Sequence, residues 1–407
     1  MSVPTVGTRS TPPGGALALH VCTRYRRGGS ERRIRDLVLA LPEMHHHLLV
    51  GPDSDLELAR EQTSVEQVRV LQTLVRPVSP RRDLASVVNL RRILRHGRYD
   101  VVFSHQSKAG VVSRMAAPAA RGPIVVHSLS MASFGPGYGR VADVVFRRME
   151  RMLGGRTAAF CVVGTDLADR YAALGVPTDR LHIVRSGVPL PSQVLPREDA
   201  RRLLCERYGV PPGRPLICFV GSLEPRKNAM LLPDVLLALS SRLPTPPFLL
   251  VAGDGPQRSM LEARLRELGL EQHAVLTGHV SEAQHISDAL RGADLVLLLS
   301  KAEGLPQVLV QSAAEGTPFV AFEVEGVREV LSLGAAGAVV PRGDLAGVVD
   351  TAYLALTGLR PVPAEPVADL SSWSPESIRS AYRNVMRKAL GESSAPDGAR
   401  LVSLEEG

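Results

Sequence analysis

Residues 300–317, SKAEGLPQVLVQSAAEGT, concentrate the groups best placed for chemistry. The apolar run Leu295–Leu299 before them reads as a buried strand. Glu303 and Gly304 follow in a short loop. Pro306 suits the first turn of a helix running to about Glu315, which Gly316, Thr317 and Pro318 stop. Free backbone N–H groups at that helix start, from Leu305 to Gln307, form an anion site. Gln311 lies four residues beyond Gln307, on the same helix face. The same residues also fit a plain capped helix whose dipole Glu303 complements. A second stretch, GSLEPRKN (221–228), follows another apolar run. Its paired cations Arg226 and Lys227 suit the neutralisation of a diphosphate, or a solvated loop. It is no P-loop, because the chain contains no G-x-x-x-x-G-K followed by Ser or Thr. In a third stretch, RRGGSERR (26–33), Gly28 and Gly29 permit close approach of backbone to a ligand, or a tight turn before a helix capped by Ser30.

Other chemistries fit less well. Asp53, Ser54 and Asp55 spell a D-x-D metal signature, but they lie between strand and helix patterns and read as a helix cap. His45, His46 and His47 are consecutive in a strand, so their side chains alternate faces and do not converge on a metal. Cys22, Cys161, Cys205 and Cys218 form no C-x-x-C pair and read as small buried residues. The net charge is +7, and six arginines stand against one glutamate between Arg24 and Arg35. Aromatics are only 4% of the chain, which favours an anionic small molecule or an acidic membrane surface over nucleic acid. Residues 139–156 carry five arginines, two acids and an apolar stripe. They fit a helix packed on the domain with a basic solvent side, or a helix lying on a membrane.

The elements that must position these groups are legible as alternation. With 407 residues the chain has room for two domains, and 44% hydrophobic with 22% charged residues is a globular composition. Strand patterns occur at 16–22, 45–51, 99–105, 123–129, 158–164 and 182–188, with helical patterns between them. Thr165 or Asp166 is placed to cap one helix. The pattern restarts with six strands between residues 215 and 341. Apolar strands bounded by helices are parallel strands buried on both faces, so the fold is α/β with two doubly wound domains. We expect tails at 1–15 and 393–407, domains at 16–190 and 213–370, a Pro-rich linker at 191–212 and a C-terminal helix at 371–392. Ligands of doubly wound sheets bind beyond the carboxyl ends of the strands, which here puts the site in the cleft between domains. No apolar run reaches the length of a membrane span and the N-terminus lacks a signal-peptide core, so the expected location is cytoplasmic.

These residues carry a resemblance to family 4 glycosyltransferases, which have the two-domain GT-B fold. Ser300, Glu303, Gly304 and Pro306 match the family's S-x-x-E-G-x-P element. Gly221, Leu223 and Lys227 match its G-R-L-x-x-x-K element, and GDGP (253–256) its G-x-G loop. GGSE (28–31) resembles its acceptor-side glycine loop, and HQSKAG (105–110) its H-x-S-K-A-G helix. The resemblance covers about residues 16–350 and implies roles. Lys227, with Arg226 beside it and Ser222 in the same loop, would hold the donor diphosphate. Glu303 would contact the donor sugar, the backbone of Gly304, Leu305, Pro306 and Gln307 its hydroxyls and phosphate, and Gln311 the ribose. Val280 would lie near the base. Gly29 would border the phosphate, and Gly28, Lys108 and Ser130 the acceptor. The chain departs from the family in three places. Gln311 replaces the second Glu, Ser222 replaces the Arg, and Ser130 with Met131 stands where most members carry His-Gly. His127 points to the opposite strand face from Ser130 and reads as structural.

The resemblance therefore implies a retaining, metal-independent transferase with no cofactor. It would move a sugar, with UDP-N-acetylglucosamine as the first candidate donor, to a hydroxyl of a small soluble acceptor. An antibiotic intermediate, such as an aminoglycoside, is the expected kind. Surface polysaccharide or glycolipid assembly is the alternative, and a non-catalytic subunit that binds nucleotide-sugar is the alternative of another class. The expected partners are a nucleotide-sugar donor and a small-molecule or glycan acceptor, with peripheral membrane contact open and no nucleic acid.

Overall fold

The computed structural model describes residues 15–61, 64–118, 122–135, 139–188, 194–359 and 368–391. The expected tails, 1–15 and 393–407, fall almost wholly outside them. In the first domain the strands are β1 (Leu17–Cys22), β2 (His45–Val50), β3 (Gln67–Val70), β4 (Val101–His105), β5 (Ile124–Leu129), β6 (Ala159–Val162) and β7 (Leu181–Ile183). Its helices are α1 (Gly29–Ala40), α2 (Leu56–Arg60), α3 (Pro80–Gly97), α4 (Ser107–Ala116), α5 (Arg140–Gly154) and α6 (Thr165–Ala173). The second domain opens with α7 (Arg197–Tyr208) and has strands β8 (Leu216–Val220), β9 (Phe248–Ala252), β10 (Ala274–Gly278), β11 (Leu295–Leu298), β12 (Phe319–Phe322) and β13 (Gly337–Val340). Its helices continue as α8 (Leu232–Ser240), α9 (Arg258–Glu267), α10 (Ala283–Gly292), α11 (Gln307–Ala314), α12 (Val327–Ser332) and α13 (Leu345–Leu356), and α14 (Pro375–Ala389) ends the described chain.

Both sheets are wholly parallel, in the orders β3-β2-β1-β4-β5-β6-β7 and β10-β9-β8-β11-β12-β13. Each order reverses direction once, between β1 and β4 and between β8 and β11. A doubly wound sheet opens a crevice at that switch point. The four loops after β1, β4, β8 and β11 therefore meet at the cleft, and they hold the sequence-marked segments. Right-handed crossovers set α1 and α2 on one face of the first sheet and α3, α4 and α5 on the other.

The stretch expected as a linker, 191–212, holds α7. Three of its arginines fasten it to the second domain: Arg201 donates to the Gly292 carbonyl at 2.7 Å, and Arg207 and Arg197 pair with Asp288 and Asp294. Leu204 and Ala200 are its buried contacts. The C-terminal α14 crosses back and packs on α1 of the first domain, burying Ile378, Tyr382, Val385 and Met386. β3 carried no strand signal of its own, because it is a half-buried edge strand that includes Arg69.

Polar groups brace the first core. Arg33 is 1% exposed and donates to Ser128 Oγ at 2.6 Å, the Val184 carbonyl at 2.7 Å and the Cys161 carbonyl at 2.8 Å. It therefore leaves the surface charge cluster expected at Arg24–Arg35, and Arg32 is likewise turned to the Gly187 carbonyl. His20 lies between His46 and His105, at 2.9 and 3.2 Å. Burial keeps all three neutral, and the His105 ring falls to about 3. His127 is fully buried against Ser104, the structural place expected for it. Asp55 caps α2, accepting from the Leu58 N–H; His45 and His47 share Glu66 on one strand face, His47 also meeting Tyr99, and His46 turns to His20 on the other.

Arg114 and Glu150 join α4 to α5 as a bidentate pair at 2.7 and 2.9 Å, both side chains fully buried. Removing one partner leaves an uncompensated charge in the core. Glu150→Ala is expected to lower the stability of the first domain by about 3–5 kcal/mol, whereas Arg114→Met with Glu150→Leu recovers most of that loss. Denaturant unfolding of the three proteins checks both.

Candidate active site

The loop after β8 runs beneath the loop after β11. The Lys301 N–H donates to the Arg226 carbonyl at 2.8 Å, fixing the two segments edge to edge. Glu303 then receives Lys227 Nζ on Oε1 at 2.8 Å and Arg226 Nη1 on Oε2 at 2.9 Å. Arg226 also donates to the Ala302 carbonyl at 2.9 Å. Glu303 is 7% exposed. Burial pushes its carboxyl up, but Lys227 and Arg226 outweigh burial and hold it below the usual carboxylate range. Two cations are thus held at the cleft around one anion.

Glycines set the distances. A Cβ at Gly253 would lie 1.8 Å from the Gly221 carbonyl oxygen, so the loop after β9 touches the loop after β8 only because residue 253 is glycine. A Cβ at Gly304 would lie 1.8 Å from the Ser130 carbonyl oxygen of the first domain. The two walls of the cleft therefore touch backbone to backbone at this point. Beside it, α1 and α11 begin opposite each other, and a Cβ at Gly29 would lie 3.5 Å from Gln307 Nε2. Two helix N-termini, each with a positive dipole end and no side-chain cap, face one space.

Pro306 is the N-cap of α11 and has no N–H, so the donors expected over Leu305–Gln307 begin at Gln307. Similarly α1 starts from an N-cap at Gly28, not Ser30, and α6 from Gly164, not Thr165 or Asp166. Asp166 instead bridges the domains, its carboxylate accepting from the Gly326 N–H at 2.8 Å. The Thr165 N–H donates to Glu329 at 2.9 Å, and Glu329 and Glu325 form ion pairs with Arg185 and Arg170 of the first domain. None of these four bridges had a motif to mark it. The glycine before the helix was the one available signal, since a Cβ at Gly164 would meet Glu329 at 2.5 Å.

Not every expected residue joins the cluster. Lys108 Nζ pairs with Asp83 of α3 at 2.7 Å and donates to the Pro77 carbonyl. Gly28 is open, with nothing within 4 Å of an added Cβ. Ser222 and Gln311 are half-buried on the second-domain wall, and Val280 lies two residues past the end of β10. Gln106 carried no signal in the sequence. It has φ 69° and ψ 158°, costly for a residue with a Cβ, and its amide both accepts from the Arg24 N–H and donates to the Arg24 carbonyl. It ties the loop after β4 to the loop after β1 at the switch point. Among the described residues no cluster of three or more His, Cys, Asp or Glu is arranged to hold a metal ion.

The far end of α11 is anchored by Glu315, which is 1% exposed, accepts from the Ser287 hydroxyl and offers its carbonyl to Arg291 at 2.7 Å. Burial raises its carboxyl from 4.5 to about 7. A raised folded value means the native state binds the extra proton, so stability falls as pH rises from about 4.5 through 7. Glu315→Gln removes that slope. Thermal unfolding between pH 5 and 8 is expected to show a shallower decline for the variant than for the parent.

Known proteins share this architecture. A model of the group 1 glycosyl transferases matches residues 201–356, and one of the glycosyl transferase 4-like domain matches residues 28–187. An Escherichia coli UDP-Gal:alpha-D-GlcNAc-diphosphoundecaprenol alpha-1,3-galactosyltransferase is 25% identical over 258 residues, 62% of this chain and 65% of the relative. The alpha-D-kanosaminyltransferase of Streptomyces kanamyceticus is 29% identical over 203 residues, 50% of this chain and 52% of the relative. The chain thus spans less than two thirds of the length of these curated relatives. The crystal structure of Anabaena HepE in complex with UDP superposes with a TM-score of 0.69 at 19% identity, covering 91% of this chain and 99% of that one. With one family model on each domain and the shared architecture, the chain belongs to the family 4 glycosyltransferases of the two-domain GT-B fold.

Proposed function

We propose that this chain is a retaining transferase that takes a sugar from a UDP-sugar donor. The observation that carries the reading is the pair of opposed helix starts beside the Lys227–Glu303–Arg226 cluster. The reaction breaks the bond between the anomeric carbon and the β-phosphate oxygen and forms one from that carbon to an acceptor hydroxyl oxygen. Negative charge gathers on the diphosphate as the bond breaks. Lys227, Arg226 and the N–H groups at the start of α11 are aimed at that charge and need no metal. Binding the diphosphate draws the two cations from Glu303, which frees its carboxylate to accept a hydroxyl of the donor sugar. Gln311 accepts a ribose hydroxyl through its amide oxygen, without the charge assistance a glutamate would give. The acceptor attacks from the leaving-group face, and its proton passes to the departing phosphate oxygen. Ser130 then has no proton to carry, and Ser130→Ala keeps its turnover.

UDP-N-acetylglucosamine is the first donor to test. The acceptor supplies a hydroxyl. The Streptomyces relative is named for the sugar it transfers, kanosamine, and leaves open the small soluble acceptor expected from sequence. The relative named for a diphosphoundecaprenol acceptor supports a lipid-linked one. The valines that α5 leaves in solvent favour the second.

The test is a panel of UDP-, GDP- and ADP-sugars with chelator present, following nucleotide release and thermal stabilisation. Release and stabilisation from a UDP-sugar alone are expected. Neither signal from any donor, with folded protein, contradicts the proposal. Glu303→Gln separates binding from chemistry. It removes the anion competing for Lys227 and Arg226, so UDP affinity is retained or rises. Nucleotide release from the sugar donor falls by about 10²-fold.

A further inference from the structure

Two helices on one face of the first domain leave apolar side chains in solvent. On α5, Val141 is 79% exposed, Val144 64%, Val145 48% and Met152 64%. On α3 and the residues before it, Val78 is 72% exposed, Leu84 63% and Val88 42%. Five of these seven apolar positions, Val78, Leu84, Val141, Val144 and Val145, fall within or just before the first two turns of their helices. Helices of a parallel sheet start at the carboxyl ends of the strands, so these turns lie at the cleft side of the domain. α4 packs between α3 and α5 and is largely buried, which leaves the outer two as parallel ridges.

The charge on the ridges is of one sign. α3 carries five arginines and one aspartate, and α5 four arginines, one aspartate and one glutamate, an excess of six against +7 for the whole chain. Two of the three acids are matched by cations of α4 and not by the ridge arginines, and the third, Asp143, offsets Arg147 alone. Asp83 is held by Lys108, Glu150 is buried with Arg114, and Asp143 is turned to the Gly135 N–H and Arg147. Exposed valines and leucine interleaved with a net excess of arginines form a surface that suits an interface of acyl chains beneath anionic headgroups. A protein partner of matching acidity would meet the arginines but leave the scattered valines without a continuous hydrophobic seat.

We propose that the α3–α5 face docks on an anionic bilayer, with the cleft rim beside the headgroups. The acceptor of the proposed transfer is then presented from the membrane and not from bulk water. That last step rests on the transferase reading, whereas the docking surface stands on its own.

The experiment is flotation of the full chain with vesicles of phosphatidylcholine alone and with one third phosphatidylglycerol, at low and high salt. Binding is expected on the anionic vesicles, weakened by salt and weaker on the neutral ones. Val141→Asp with Val144→Asp, and separately Arg140→Glu with Arg148→Glu, should each lower partitioning by about tenfold or more. Aspartates at exposed positions near a helix N-terminus are compatible with folding, and unchanged nucleotide release in solution confirms it. Equal binding to both vesicle types, no binding, or variants that float like the parent would each overturn the proposal. A parent that ignores vesicles but forms a dimer lost in the Val141→Asp, Val144→Asp variant would assign the face to a second copy instead. Anionic-vesicle binding without nucleotide release from any donor would retain the docking surface and remove the transferase reading.

Discussion

The cleft depends on one arrangement: a buried carboxylate, Glu303, clamped between Lys227 and Arg226. Each charge alone would be costly this close to the interior, and the three together are stable. The clamp joins the loops after β8 and β11, the two strands flanking the switch point of the second sheet. It also fixes where α11 begins, four residues beyond Glu303. The clamp holds both cations beside a helix start, from which a bound diphosphate could draw them.

The first domain is brought to this cluster by contacts of a different kind. At Gly304 and Ser130 the domains meet through backbone, without room for a side chain. Around that point lie buried or half-buried carboxylates, Asp166, Glu325 and Glu329, each bonded across the boundary. Charged contacts can be broken and remade in water more readily than an apolar interface of the same area. They therefore suit two domains that part and close again, as the proposed transfer requires. α14, returning to the first domain after the second is complete, ties the pair by a second crossing.

Much of this was legible because strand cores and site loops carry dense local signals. All six strands of the second domain stand out as apolar runs between turn residues, and the 300–311 segment combines a strand end, a loop and a helix start. β3 was invisible because an edge strand with Arg69 at its centre needs no apolar run. The Lys108–Asp83 pair was not legible, because Asp83 is 25 residues away in sequence and on another helix. Arg33 was counted as surface charge, yet it has hydroxyl and carbonyl partners 95 and 151 residues away. Pairings between distant residues decide whether a charge faces solvent or core, and no local pattern encodes them. The interdomain carboxylates were missed for the same reason.

The most direct measurement is calorimetric binding of UDP and of UMP to the parent and to Lys227→Ala. The two nucleotides differ by the β-phosphate alone. If Lys227 is the contact for that phosphate, the parent prefers UDP by about tenfold or more, and the preference shrinks towards one in the variant. A preference for UDP that survives unchanged in Lys227→Ala would contradict the account, because the cluster would then not be the diphosphate site.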